Sequence, residues 1–399
     1  MKNNKKKIIF VSQALWIGGI ETALVNLINK LDYNKYDVTC LITQNYLDMA
    51  ERLTKSCRLI VADRHSLVSF TKPYKFKKLY DILEEPQGAT SFRHLLWHIL
   101  NILFKALEMH LYSLYIKEQM TGESFDTAII YSDRVAEITV KALNAKKFLM
   151  FYHHGAMRKE YHDRYGYEKS EKIIAVSDNI AQKLKEYRKK YANKIVTVNN
   201  VIDIDSIVEK SKEDIVEDGL FSEDNFNIVS CGRLSPVKGL NFAVEAVARL
   251  VEEGYTDINW YIVGGGPIEE DIKKQIAAHK MEKHIFMLGM KNNPYPYMKN
   301  CDLFIQPSVF EGYSLSIMEA KILGTPILAT YAAAGNQIEN GTDGFLCDTN
   351  TLSVYKNILR LYENREELEN CKSALMNCDF ESINQRIISQ LENFLKRED

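Results

Sequence analysis

No run of apolar residues in this 399-residue sequence reaches the ~18 uninterrupted positions that a membrane-spanning helix needs. The basic start, MKNNKKK, is followed by only four apolar residues, 8–11, too few for the core of a signal peptide. These two absences lead to the expectation of a cytoplasmic protein. Cysteine is sparse and scattered (Cys40, Cys57, Cys231, Cys301, Cys347, Cys371, Cys378), with no C-x-x-C pair and no spacing that suggests zinc. Reduced, mostly buried thiols are expected. Low-complexity tracts and short repeats are absent too, which argues against disordered and solenoid architectures.

Charge of one sign is also lacking overall. The formal net charge is −2, and no nucleic-acid partner is expected. That balance hides an asymmetry. Residues 1–200 carry 32 Lys and Arg against 21 Asp and Glu, and residues 201–399 carry 19 against 32. A basic N-terminal half suits an anionic partner, such as a membrane surface or a lipid-phosphate acceptor. Attraction between the halves, or solvated faces, accounts equally for the counts. At this length two domains are the default.

What is present is a strand–loop–helix–strand unit at 301–330, CDLFIQPSVFEGYSLSIMEAKILGTPILAT. Residues 302–306 read as a buried strand, and 308–314 as a loop. Leu315, Ile317, Met318, Ile322 and Leu323 recur at helical spacing, and Gly324-Thr325-Pro326 stops the helix before a second strand, 327–330. Such units build parallel sheets, whose ligands bind beyond the C-terminal ends of the strands. Glu311 and Glu319 bracket the loop and helix. Gly312, Tyr313 and Ser314 between them are small or turn-forming enough for backbone to approach an anion. Ionised Glu accepts hydrogen bonds only, which suits ribose hydroxyls. Ser316-x-x-Glu319 also matches a capping box, and both readings stand.

The string E-G-Y-S-L-S-I-M-E-A followed by G-T-P-I resembles the donor-binding signature of the family-four retaining nucleotide-sugar glycosyltransferases. The resemblance implies a GT-B fold, α/β, with two Rossmann-like domains whose parallel sheets face each other across a cleft. It implies that Glu319 holds the donor ribose, that Glu311 lies against the donor sugar, and that Gly312 and the backbone from Tyr313 through Ser314 to Leu315 meet the diphosphate.

Other stretches carry the same resemblance. Residues 7–11 read as a first strand that turns through Gly18-Gly19-Ile20-Glu21 into an amphipathic helix. A glycine pair there admits a phosphate, and the family places such a G-G-x-E beside the donor diphosphate. Further strands are expected at 36–43, 57–61, 125–131, 148–152 and 172–176. The strand at 148–152 ends in His153-His154, and the family carries a histidine at this tip beside the sugar hydroxyls. His153 aligns best, with His154 open. Ser177 reads as a helix N-cap. A strand at 194–201 leads to Asp203-x-Asp205, a D-x-D triplet at the domain junction that is discounted as a metal site. Residues 202–225, acidic and polar, read as a linker.

The second domain is expected to open with a strand at 226–231, then Gly232-Arg233-Leu234-Ser235-Pro236-Val237-Lys238-Gly239 and a helix at 240–250. A nucleoside diphosphate departs with accumulating negative charge. Arg233 can grip phosphate in a fork and Lys238 acts as a point charge. G-R-L-x-x-x-K-G after a strand also belongs to the family. A strand at 259–263 ends in Gly264-Gly265-Gly266, with Pro267 expected to open a helix, leaving room for a nucleoside. The family places the base near 289–291, hence Met290. The pattern 335–346 echoes the family imperfectly and is assigned no role. A final amphipathic helix, 380–394, is expected to cross back to the first domain.

Between them, residues 66–120 are the least recognisable. Lys72, Lys75, Lys77 and Lys78 surround Tyr74 and Phe76, and 91–120 is helical and rich in Leu, Trp, Phe and Tyr. This is either a core helix pair or an interfacial helix on an anionic bilayer.

The expected organisation is therefore an acceptor-side domain at 1–200 with helix 380–399 packed on it, and a nucleotide-sugar domain at 201–379. The expected activity is retaining transfer from a nucleotide-sugar, UDP-linked by expectation, to a glycan or polyprenyl-diphosphate-linked acceptor in cell-surface polysaccharide synthesis. Neither cofactor nor metal is expected, and the protein is placed in the cytoplasm or on the inner face of the membrane. The rivals are an inverting enzyme or sugar-nucleotide epimerase with His153 as base, a phosphorylase-like enzyme, and a non-catalytic binding subunit.

Overall fold

The computed structural model describes residues 5–63, 107–154, 157, 164–215, 221–222 and 224–396. Lys72, Tyr74, Lys75, Phe76, Lys77, Lys78 and most of the 91–120 segment lie outside the described residues.

Two doubly wound parallel sheets make the frame. The first has seven strands in the order β3-β2-β1-β4-β5-β6-β7. These are β1 (Lys6–Ser12), β2 (Tyr36–Ile42), β3 (Arg58–Val61), β4 (Phe125–Ile130), β5 (Ala145–Tyr152), β6 (Ser170–Ala175) and β7 (Ile195–Thr197). The second has six, ordered β10-β9-β8-β11-β12-β13. Its strands are β8 (Phe226–Cys231), β9 (Ile258–Val263), β10 (Ile285–Gly289), β11 (Leu303–Gln306), β12 (Ile327–Thr330) and β13 (Phe345–Cys347). Every pairing in both sheets is parallel. The central strands are buried on both faces, so they are written as unbroken apolar runs such as Ile8–Val11, all at most 1% exposed. Strand order reverses between β1 and β4, and again between β8 and β11. Those are the points where a doubly wound sheet opens a crevice at its strand tips.

The last helix, Phe380–Leu395, returns to the first domain, where Ile387, Leu391 and Leu395 enter its core. Asn384 fastens the inter-domain segment: its Oδ1 accepts from the Ile202 N–H at 3.1 Å and its Nδ2 donates to the Ile202 carbonyl at 2.7 Å. The described end of the aromatic segment, helix 107–119, buries Tyr112 and Ile116 in the same core. Leu107 and Leu114 remain on its exposed side.

Several local expectations shift. Residues 202–225 are not all linker, because Ile204–Lys210 is a helix. Asp203 is its N-cap and accepts from the Ser206 N–H, so half of the D-x-D triplet serves a helix end. Residues 198–201 leave the sheet after β7. Pro267 does not open a helix. It sits in a turn, and the helix begins at Glu269.

Candidate active site

The tips of β8 and β11 flank the second switch point and bring four charged side chains together. After β8 the chain passes through Gly232 and the 3-10 turn Pro236–Lys238. After β11 it passes through a loop into the helix Leu315–Ile322. Lys238 Nζ lies 2.7 Å from Glu311 Oε1, with both side chains less than a fifth exposed. The same oxygen accepts from Gln306 Nε2 at 3.1 Å and Ser308 Oγ at 2.9 Å. Three donors on Oε1 pin the carboxylate and leave Oε2 without a partner among the described residues. Arg233 is exposed, lines the pocket between β8 and β11, and has no ion-pair partner among the described residues.

Glu319 sits one helical turn deeper. Its N-cap is Ser314, whose Oγ accepts from the Ile317 N–H at 3.4 Å. Ser316 is not the cap; its Oγ reaches the Cys231 carbonyl at 3.3 Å. The capping-box reading therefore fails, and Glu319 is released from helix duty. Its Oε1 accepts from the Tyr295 hydroxyl at 3.3 Å. Burial pushes its carboxyl up to about 7, opposed by the Tyr295 bond and by the charges of Lys238 and, from across the cleft, Arg52. A polar acceptor half-buried in this way wants donors, which is what a pair of ribose hydroxyls offers.

Backbone completes the floor. Leu315 and Ser316 open the helix, and their N–H groups have no intrahelical acceptor. Ser314 differs: its N–H donates to Gln337 Oε1 at 2.8 Å. That corrects the expectation that the whole 313–315 backbone faces a diphosphate. Gly264 (φ +145°) lies so close to the β8 tip that a Cβ there would fall 1.9 Å from the Gly232 carbonyl oxygen. Gly265 and Gly266 continue that tight passage, with Met290 beside Gly265 and 83% exposed. Pro267 is exposed at its outer end.

The first domain closes the cleft. A Cβ on Gly312 would lie 2.3 Å from the His153 carbonyl oxygen, so only glycine lets the β11 loop touch the β5 tip. Ser177 Oγ donates to the Gly312 carbonyl at 2.9 Å, and Asn336 Nδ2 to Asp178 Oδ2 at 3.0 Å. Gly19, at the start of the helix Gly19–Lys30, faces Leu315, while Gly18 packs against Trp16 and the buried Glu21. Glu21 takes a hydrogen bond from Trp16, and its burial raises its carboxyl.

The two histidines separate. The His153 ring packs on Tyr131 at 4.6 Å and on Phe151 at 5.8 Å between centroids. Its Nε2 is buried and has no partner among the described residues. Burial, helped by the neighbouring His154, lowers its pKa to about 3, so the ring is neutral at any physiological pH. His154 Nε2 instead lies 3.2 Å from Oδ1 of the buried Asp133. Burial works to raise the Asp133 carboxyl, but His154 and the Arg134 backbone prevail and hold it low. Gln306, Ser308, Tyr295, Asp133 and Gln337 were not singled out from sequence. Gln306 alone carried a local signal, a polar residue closing an apolar strand.

Two doubly wound parallel sheets with strand tips opposed across a cleft define the GT-B architecture. Within it, residues 211–375 match the model of the glycosyl transferases group 1 family. A Campylobacter jejuni N-acetylgalactosamine-N,N'-diacetylbacillosaminyl-diphospho-undecaprenol 4-alpha-N-acetylgalactosaminyltransferase is 34% identical over 37% of this chain and 37% of its own length. An Escherichia coli UDP-Gal:alpha-D-GlcNAc-diphosphoundecaprenol alpha-1,3-galactosyltransferase is 28% identical over 46% of this chain and 50% of its own. The chain thus matches half or less of the length of these relatives. Anabaena HepE, solved in complex with UDP-glucose, superposes with a TM-score of 0.71 at 17% identity, covering 97% of this chain and 99% of that one. TarM gives 0.71 at 13% identity over 100% of both chains.

Proposed function

We propose that this protein is a retaining glycosyltransferase that moves a sugar from a UDP-sugar to a glycan or polyprenyl-diphosphate-linked acceptor. The observation that carries the reading is the convergence of Arg233, Lys238, Glu311 and Glu319 at the second switch point, around the start of the helix Leu315–Ile322. Glu319 takes the ribose hydroxyls. Arg233 and Lys238 receive the diphosphate and stabilise its charge as it leaves, which gives the site its own cations without a metal. The sugar hydroxyls are assigned to Oε2 of Glu311 and Nε2 of His153, both without a partner among the described residues.

The front-face route fits these groups. The bond from anomeric carbon to phosphate oxygen breaks, the acceptor oxygen bonds to the same face, and its proton passes to the departing phosphate. Closure of the two domains keeps out water that would hydrolyse the donor. An inverting or epimerising reaction with His153 as base is disfavoured, because an imidazole with a pKa near 3 binds protons too weakly. A purely binding role leaves the paired and oriented charges without a task, and phosphorolysis would leave Glu319 without a ribose. UDP is favoured as the nucleotide because HepE was solved with UDP-glucose and the Escherichia coli relative uses UDP-Gal.

The test is a thermal-shift panel in EDTA with UDP, GDP, ADP, CDP and dTDP, repeated on Glu319→Ala. A ligand that binds only the folded state raises the melting temperature by mass action. UDP is expected to shift the wild type and not the variant. No shift with any nucleotide would overturn the reading.

A further inference from the structure

The turn after the short helix Tyr331–Ala334, which follows β12, holds a carboxamide that the reaction above leaves without a task. Gln337 is 9% exposed, and its side chain meets one residue twice. Its Oε1 accepts from the Ser314 N–H at 2.8 Å, and its Nε2 donates to the Ser314 carbonyl at 2.8 Å. A carboxamide carries one acceptor and two donors in a plane, so it can match the edge of a peptide residue on both sides. Gln337 is itself anchored. Its N–H donates to the Ala334 carbonyl at 2.9 Å. Its carbonyl accepts from the buried ammonium of Lys321 at 2.8 Å, and Lys321 also pairs with Asp343 at 2.5 Å.

The residue so held is the N-cap of the helix Leu315–Ile322. Two positions back, Gly312 touches the other domain. Left to itself, a loop of this kind would turn its peptide planes freely. The clamp fixes one plane and takes the Ser314 N–H out of circulation.

We propose that Gln337 is a positioning residue of the donor site. It holds the Ser314 peptide so that the N–H groups of Leu315 and Ser316, and not that of Ser314, meet the diphosphate. The inference rests on the glycosyltransferase reading. The ligand class it concerns is a nucleoside diphosphate or its sugar ester. Methionine at 337 would keep the length and lose both bonds. Ionised glutamate would keep the Ser314 N–H on one oxygen but set its other oxygen, an acceptor, against the Ser314 carbonyl, and bring negative charge toward the diphosphate. A protonated glutamic acid, with one O–H donor and one acceptor, would restore the clamp.

The experiment compares uridine with UDP by calorimetry on wild type, Gln337→Met and Asn336→Ala, then follows UDP-glucose binding against pH for Gln337→Glu. Gln337→Met is expected to weaken UDP about tenfold and leave uridine within twofold, since uridine reads only the ribose and base. Asn336→Ala, which loses the contact to Asp178, is expected to keep the wild-type ratio of the two. For Gln337→Glu, the deficit in UDP-glucose affinity relative to wild type is expected to narrow as pH falls from 8 to 5. UDP and uridine weakening in parallel, or neither changing, would overturn the proposal, as would a pH-independent deficit. The pH profile stands even if Gln337→Met fails to fold. Wild type that binds no UDP would remove the glycosyltransferase reading itself, a result visible before any variant is made.

Discussion

Arg233 and Lys238 lie in one loop but do different work. Lys238 is already paired with Glu311, so it must exchange or share that partner when a diphosphate arrives. Arg233 is exposed and unpaired among the described residues, ready to form a forked contact. Arg233→Ala and Lys238→Ala are each expected to lower kcat by about 100-fold or more, the scale of losing one electrostatic stabiliser of a transition state, with circular dichroism unchanged. Near-normal turnover in both would remove the leaving-group assignment. Glu319 yields a pH prediction. Its carboxyl titrates near 7, above the ordinary carboxylate range, so the charged form gains population as pH rises through 7. A carboxylate accepts two ribose hydroxyls, so affinity for UDP-glucose should rise about tenfold between pH 6 and 8. The diphosphate diester does not itself titrate in that range. Glu319→Gln should be flat, and a wild-type profile flat over the same range would show that the ionised carboxyl is not the binding form. For stability the sign is opposite. The raised pKa means the folded state binds the proton more tightly, so Glu319 costs stability increasingly as pH climbs from about 4.5 to above 7.

At the scale of elements, the site is made by where strands stop. The loops after β8 and β9 run so close that Gly264 has room for hydrogen only, and at a φ of +145° its backbone is strained for any other residue. Gly264→Ala should lose about 3 kcal/mol or more in urea unfolding, combining strain with a clash against the Gly232 carbonyl. Gly289, also at positive φ (+69°) but with nothing near its Cβ position, is the control, and its change to Ala should cost about 1–2 kcal/mol. Equal losses would show that the close approach is not what matters. Most strands were legible as largely apolar runs, within a residue or two of their observed ends, because the central strands are buried on both faces, though β2 and β4 each carry an Asp and a Thr. Shorter features were not. The three-residue strand β13 and the helix Ile204–Lys210 lack a long periodic signal. The competition between Ser314 and Ser316 for the cap was settled by Cys231, which lies 85 residues away.

For the whole molecule, the polar contacts between the domains among the described residues include Ser177 to Gly312, Asn336 to Asp178, Asn26 to the Val201 carbonyl, Lys30 to Asp205, and the Asn384 clamp on Ile202. Contacts of this kind suit domains that open and close about a fixed segment. The charge asymmetry between the halves lends itself to a direct test. We expect the protein to sediment with vesicles containing anionic lipid at low salt and to be released as salt rises, as the basic N-terminal half would require. Failure to sediment at low salt would leave the positive charge to the acceptor or to the acidic half. Among the described residues no helix is long and apolar enough to cross a membrane. The candidate site was legible wherever its groups lie within a few residues of one another, as Arg233 and Lys238 do in one turn and Glu311 and Glu319 do across a loop and the helix after it, because local spacing preserves them. It was not legible where a side chain serves a residue far along the chain. Tyr295 beneath Glu319, Asp133 behind His154, and Gln337 across Ser314 were decided by tertiary structure. Sequence by itself settled that there would be parallel strands with charged and glycine-rich tips. Which strand tips face one another, which histidine keeps a free nitrogen, and which backbone N–H is withheld depended on packing. Burial and hydrogen-bond partners are properties of distance in space, and the local pattern of a chain does not record them.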